Sequence, residues 1–345
     1  MRDSAQAPLP ATEQRHPLSM RLDELPTVDM VRLMNQLDAT IPLVIAEALP
    51  AITQVVDAIT ATLEDGGRLF YQGAGTSGRL AVLDAAELLP TFSAPPGLVI
   101  GLIAGGPPAM VHSVEGAEDR QEQGRQDLVA HDFSASDMLI GVAASGRTPY
   151  VLGGLDHANA LGAMTSCIVC TAHSSIAAAA QLPIEVITGP EVLTGSTRLR
   201  AGTATKLVLN MLSTCAMVKL GKVYENLMVD VRPTNAKLRQ RAVRIVCEST
   251  GVTPIEAERL LEAADWQVKT AVVMGLAGVG AEEATARLAR SGGRGEKQFH
   301  NSLPWCMAAP KVHPISQPSA AYFPVSCTVL PAYPPDRVAL WSVVE

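Results

Sequence analysis

The hydrophobic pattern changes period twice along the chain. From Thr27, "TVDMVRLMNQLD" carries apolar residues at helical spacing behind a capping threonine, with Asp29 in the first turn. "TIPLVIAEALPAITQVVDAITATLEDGG" keeps that spacing and stops at Gly66 and Gly67, with Pro50 as a point of kinking or division. The rhythm then shortens. "RLFYQ" (68–72), "LVIGLIA" (98–104), "DMLIGVA" (137–143), "SCIVC" (166–170) and "IEVIT" (184–188) are brief apolar runs bounded by Gly, Ser, Pro or Asp. Helical stretches at 78–89, 108–130, 148–161 and 174–181 separate them, and a long helical run covers 196–221. Alternating strand and helix predicts an α/β fold: a mostly parallel sheet of about five strands with helices on both faces.

From 235 to 293 the chain turns helical again and more charged. "AKLRQRAVRIVCEST", "TPIEAERLLEAAD", "QVKTAVVMGLAG" and "GAEEATARLARSGG" read as a small three-helix unit with an extra leading helix. Residues 294–345 lose every period while proline recurs, which predicts an irregular or disordered tail. Residues 1–20 are polar and Pro-bearing, a flexible arm before the domain that spans 21–234.

One turn occurs twice. "GAGTSGRLAVL" begins at Gly73 and "GVAASGRTPYV" at Gly141; each follows an apolar run and leads into a helix. In an open parallel sheet, ligands bind beyond the carboxyl ends of the strands, where helices start. A helix start offers unpaired N–H groups, glycine admits close approach, and Ser or Thr adds hydroxyls. Gly75, Thr76, Ser77 and Gly78 with Ser145, Gly146, Arg147 and Thr148 therefore read as two halves of an anion cradle, with phosphate the usual guest. A third group containing Ser196 and Thr197 opens the long helix with the same residue types. Such a set suits a phosphorylated sugar. Arg79, Arg147, Arg198 and Lys206 are the cations available to neutralise it. Neither turn is a nucleotide-triphosphate loop, since no Gly-Lys-Ser/Thr appears, and no acid ends "LVIGLIAGG" where a dinucleotide ribose would need one.

These turns resemble a sugar isomerase (SIS) domain. The longer runs "GAGTSGRLAVLDAAELLPTF", "VEGAED", "GVAASGRTPYV", "GPEVLTGSTRLRAGTATKLVLNMLST" and "GKVYENLMVDV" are similar to one family within it, the N-acetylmuramic acid 6-phosphate etherases, from roughly Leu22 to Gly293. The resemblance implies an SIS-type three-layer α/β/α sandwich followed by a ubiquitin-associated-like (UBA-like) helical bundle over 235–293. It implies cleavage of the D-lactyl ether of N-acetylmuramic acid 6-phosphate to N-acetylglucosamine 6-phosphate and D-lactate. The C2 proton, acidified by the open-chain aldehyde, leaves; the C3 ether oxygen is expelled; water then adds at C3. Two carboxyls can do this without metal or cofactor. Matched motif to motif, the family's proton donor falls on Glu87 and its second essential glutamate on Glu118, the candidate for proton transfer at C2 or ring opening; Glu115 and Asp119 compete for the latter role. Leu83, Leu88 and Leu89 around Glu87 predict an apolar setting that raises its pKa. The family also implies a homodimer with sites near the subunit interface. The chain departs from it at Leu88-Leu89-Pro90, where Cys-Pro-Pro is usual, and at Asn35-Gln36-Leu37-Asp38, where the pattern is Asn-x-Glu-Asp.

Bulk properties narrow the alternatives. With 48% apolar and 18% charged residues, 345 residues can bury a sizeable core. A net charge of -7 argues against nucleic acid as a partner. No signal-peptide pattern and no uncharged run of membrane-spanning length is read, so a cytoplasmic protein without a membrane partner is expected. Cys167 and Cys170 form a CxxC inside an apolar run and read as buried strand thiols. The competing functions are a sugar-phosphate aldose–ketose isomerase, which shares the first proton abstraction, and a non-catalytic sugar-phosphate-sensing regulator.

Overall fold

The protein is described here by a computed structural model covering residues 9–231, 233 and 235–290. Two helices lead the chain, α1 (Thr27–Asp38) and α2 (Ile41–Glu64). Strand β1 (Leu69–Gly73) follows, then α3 (Gly75–Phe92), β2 (Val99–Ile103), α4 (Gln121–Ala130), β3 (Met138–Val142), α5 (Pro149–Ala160), β4 (Met164–Val169), α6 (Ser175–Ala179), β5 (Leu182–Glu185) and α7 (Arg200–Lys219). The strands form one sheet in the order β2-β1-β3-β4-β5, and every pairing is parallel. The chain leaves β1 toward β2 and then crosses to β3 on the other side. The switch point therefore lies between the carboxyl ends of β1 and β3, with Gly73 opposite Val142.

Strand alternation sends side chains into two cores. Leu69, Tyr71, Met138, Ile140 and Val142 meet α2 and α7 on one face. Phe70, Leu139, Cys167 and Val169 meet α5 and their neighbours on the other. Both faces of β1 and β3 are buried, which is why these strands read as continuous apolar runs. Each such side chain contributes about 1.5–3 kcal/mol of burial free energy. The run Thr27–Glu64 is long and apolar enough to cross a membrane by length and composition. In the fold, α2 is a covering helix that buries Ile41, Ile45, Ile52, Val55 and Ile59 in the first core. It continues through Pro50 without interruption.

The structure corrects several boundaries. The helix expected over 108–130 is divided: Pro107–Met110 is a 3-10 turn, 111–120 is irregular, and α4 starts at Gln121. Gly116, at φ +67°, and the lack of an apolar stripe in "HSVEGAED" explain the gap. The long helix starts at Arg200 and not at Ser196. β5 pairs through Leu182–Glu185, two residues before the apolar run that marks it. Residues 9–20, read as part of a flexible arm, form two 3-10 turns, and Thr12 is buried.

The helical segment holds α8 (Ala236–Thr250), α9 (Pro254–Ala263), α10 (Val268–Ala277) and α11 (Ala281–Arg290). Asn235 and Thr253 cap α8 and α9, accepting the Leu238 and Glu256 amides. Its core, with Ile245, Val246, Leu261 and Val272, also takes in Val229 and Val231, which precede the boundary read at 235. The tail expected over 294–345 lies outside the described residues.

Candidate active site

The first Ser-Gly-Arg turn lies inside the opening turn of α3. Ala74 is extended, Gly75 has φ +52°, and the Gly78 amide closes the first helical bond to the Ala74 carbonyl at 3.1 Å. The amides of Gly75, Thr76 and Ser77 are thus the unpaired start of the helix. Gly78 is structural: a Cβ there would stand 2.6 Å from the Gly73 carbonyl oxygen and 2.7 Å from Ile103. Only hydrogen lets α3 sit this close to the sheet.

The second turn is built differently, so the repeat in sequence is not a repeat in structure. Ser145, Gly146 and Arg147 precede α5, which starts at Pro149. Proline brings no N–H, the Tyr150 amide donates to the Glu118 carbonyl at 2.9 Å, and Val151 returns to Thr148. This helix start has few free amides. What the turn offers is hydroxyls: among the described residues, Ser145 and Thr148 have no hydrogen-bond partner for theirs, nor do Thr76 and Ser77 in the first turn. The segment after β4 holds the turn in place. Ile176 N and Ser175 Oγ both donate to the Gly146 carbonyl, at 3.0 and 3.1 Å.

The third group stands beside the first. A Cβ on Gly202 would lie 3.5 Å from the Thr76 methyl and 3.4 Å from the Thr197 carbonyl oxygen. Ser196 and Thr197 are half-buried in the loop before α7. The helix start expected at Ser196 lies at Arg200 and is already occupied. Glu191, fully buried, accepts the Arg200 and Ala201 amides, one on each carboxylate oxygen, both at 2.9 Å. Burial pushes its pKa up against these amides and Arg200. The α7 N-terminus is therefore capped from within, and an external anion there would meet a carboxylate.

The two glutamates face different cavities of one chain. Glu118 lies in the irregular segment 111–120 and lines a cavity of about 280 Å³ with Gly75, Arg79 and Glu115; Asp119 does not line it. Glu87, on α3, lines a second cavity of about 590 Å³ with Asp84, Lys206, Asn210 and Ser213. Both glutamates are exposed. Leu88 is buried, but Leu83 and Leu89 are 43% and 38% exposed, so this chain does not by itself form the apolar enclosure expected around Glu87.

Of the candidate cations, Arg79 holds the Glu118 segment, donating to the carbonyls of Met110 (3.2 Å) and His112 (3.4 Å). Arg147 and Arg198 point to solvent. Lys206 pairs with Asp84 at 3.2 Å. The sequence reading missed Asp84, although its place three residues before Glu87 puts both on one helix face. Cys167 and Cys170 are fully buried, and burial pushes both thiols up to about 12, as expected of inert strand thiols.

A parallel five-stranded sheet with glycine- and hydroxyl-rich turns beyond its switch point is the architecture of an SIS-type domain. A family model described as the glucokinase regulatory protein N-terminal SIS domain matches residues 51–159. The solved structure of a phosphoheptose isomerase from Francisella tularensis is 18% identical, with a TM-score of 0.46, over 56% of this chain and 100% of that one. Similarity in sequence reaches much further. The N-acetylmuramic acid 6-phosphate etherase of Erwinia tasmaniensis is 54% identical over 85% of this chain and 96% of its own length. That of Serratia proteamaculans is 57% identical over 82% and 95%. The chain belongs to the N-acetylmuramic acid 6-phosphate etherase family.

Proposed function

We propose that the protein is a carbon–oxygen lyase that removes the lactyl group of N-acetylmuramic acid 6-phosphate, releasing D-lactate and N-acetylglucosamine 6-phosphate. The observation that carries this reading is 54–57% identity to the etherases across both the sheet domain and the helical segment. The α3 amides with Thr76 and Ser77 receive the phosphate, and Ser145 and Thr148 meet it or the ring hydroxyls. Gly146 shapes that turn, and Arg147 supplies long-range positive charge. Ser196 and Thr197 border the same mouth. Glu118, beside Gly75 in one cavity, is the base for the C2 proton. Glu87 protonates the departing lactyl oxygen and then assists water addition at C3. Expulsion of an alkoxide from C3 needs such a donor, because the leaving group is otherwise a strong base.

Glu87 and Glu118 line separate cavities of one chain, which favours a homodimer in which one copy's Glu87 surface completes the partner copy's Glu118 cavity. The exposed apolar residues Leu83 and Leu89 beside Glu87, and Val28, Val31 and Leu43 on α1 and α2, suit burial between copies. A muramic acid substrate makes this a step of cell-wall amino-sugar recycling, for which a cytoplasmic protein is expected. The test is direct: incubate the protein with N-acetylmuramic acid 6-phosphate and assay D-lactate. Tight binding without lactate would instead make it a sugar-phosphate sensor.

A further inference from the structure

The cavity that Glu87 lines has one basic side chain among its described lining residues, Lys206. That lysine is fastened from beneath. Its Nζ lies 3.2 Å from Asp84 Oδ1; the Asp84 side chain is 5% exposed and that of Lys206 is 32% exposed. Tyr71 from β1 and Ser213 from α7 also flank the Asp84 carboxyl. Burial draws the Asp84 pKa upward, and the Lys206 charge opposes it. An ammonium carries three donors. One goes to Asp84 on the protein side, which leaves two for a ligand in the cavity that Lys206 lines. Lys206, Asn210 and Ser213 recur at helical spacing on α7, opposite Asp84 and Glu87 at helical spacing on α3, so both helices present polar faces to the same space.

The reaction gives that cation a partner. In a D-lactyl ether the carboxyl carbon is bonded to the same carbon as the ether oxygen. A group that protonates that oxygen therefore has the substrate's carboxylate as its immediate neighbour. Once Glu87 has given up its proton, it and this carboxylate would repel each other without a cation between them. We propose that Lys206, fixed by the buried carboxyl of Asp84, binds the lactyl carboxylate beside Glu87 and thereby distinguishes the ether-bearing sugar phosphate from its delactylated product. The proposal rests on the etherase reading for the identity of the ligand. It assigns Lys206 to the substrate's second anion and leaves the phosphate to the glycine turns. Asp84 is a positioning residue that acts through Lys206.

The test compares two ligands on the full chain by calorimetry: N-acetylmuramic acid 6-phosphate on variants that also carry Glu87→Gln, to slow turnover, and N-acetylglucosamine 6-phosphate, which lacks the lactyl group. Lys206→Met should weaken the first by about 10- to 100-fold, the loss of one charge-assisted contact. It should leave the second within about twofold. Lys206→Arg should recover most of the difference, and Asp84→Asn should show a smaller selective loss. If Lys206→Met does not fold, Lys206→Gln takes its place. Equal weakening of both ligands, or no weakening of either, would overturn the proposal. The binding comparison does not depend on turnover: absence of D-lactate from the wild type would defeat the etherase reading, while a selective loss in Lys206→Met would still support the carboxylate site.

Discussion

The carbonyl of Glu118 accepts the amide of Tyr150 at 2.9 Å, so the segment that carries the second glutamate is fastened to the start of α5. With the Arg79 bonds to the Met110 and His112 carbonyls, it holds an otherwise irregular loop next to the Ser145–Thr148 turn. It uses backbone only, which leaves the Glu118 side chain free for chemistry. Glu118→Gln should therefore retain the fold and the melting temperature. Turnover should fall by about 10²–10⁴, the usual range for loss of a proton-transfer group. Glu87→Gln, on an exposed helix face, should behave alike in both respects. Steady-state rates of D-lactate release alongside thermal melts check this; an undiminished rate removes that glutamate from the mechanism.

Gly146 has φ +66°, and a Cβ there would stand 2.3 Å from both Cβ and Oγ of Ser174. Ser174 caps α6 by accepting the Ala177 amide and cannot swing aside without loss. Gly146→Ala should cost about 1–2 kcal/mol for the left-handed backbone and about 1–3 kcal/mol for overpacking. It should also displace the Ser145 and Thr148 hydroxyls. Urea unfolding should show the lower stability, and titration with inorganic phosphate or a hexose 6-phosphate should show weaker binding.

Asp137 caps the start of β3 with an unusually complete set of donors. It accepts from the Arg68 amide (2.9 Å), Arg68 Nη2 (2.8 Å) and the Ser134 amide (2.9 Å). Burial pushes its pKa up, but these donors outweigh burial and hold it below the ordinary aspartate value of 3.8. A folded value below the unfolded one means the bridge contributes fully above about pH 4. Its contribution is lost as pH falls through the folded value. Asp137→Asn should destabilise by roughly 3 kcal/mol near neutrality, and its deficit against the wild type should shrink below pH 3.8. Denaturant midpoints at a series of pH values check the sign.

Val31 on α1 and Leu43 on α2 are 61% and 65% exposed. If this surface lies between two copies, Val31→Glu with Leu43→Glu should convert a dimer to a monomer by light scattering. Lactate release should fall with it if the partner copy completes the site.

Much of this architecture was legible because buried parallel strands are apolar on both faces. β1 and β3 stand out within one residue of their runs, and Gly66-Gly67 marks the end of α2. The segment 111–120 was not legible, because its charged residues carry no period and its conformation comes from Gly116, Arg79 and the Tyr150 amide, all outside any local pattern. The two Ser-Gly-Arg turns looked alike because residue types repeat. The prolines differ: Pro149 delays α5 and strips it of an amide, whereas the first turn has no proline and is helical from Gly75. The Glu191 cap on α7 was hidden for another reason. Its carboxylate reaches amides nine and ten residues ahead, beyond the three-residue reach of the capping patterns read from sequence.

Elimination across C2–C3 followed by water addition at C3 is tested most directly by isotopes in the solvent. In water enriched in ¹⁸O and deuterium, N-acetylmuramic acid 6-phosphate should yield D-lactate free of ¹⁸O. The N-acetylglucosamine 6-phosphate formed should carry ¹⁸O at C3 and deuterium at C2. ¹⁸O in the lactate, retention of the C2 proton, or no lactate at all would contradict the account.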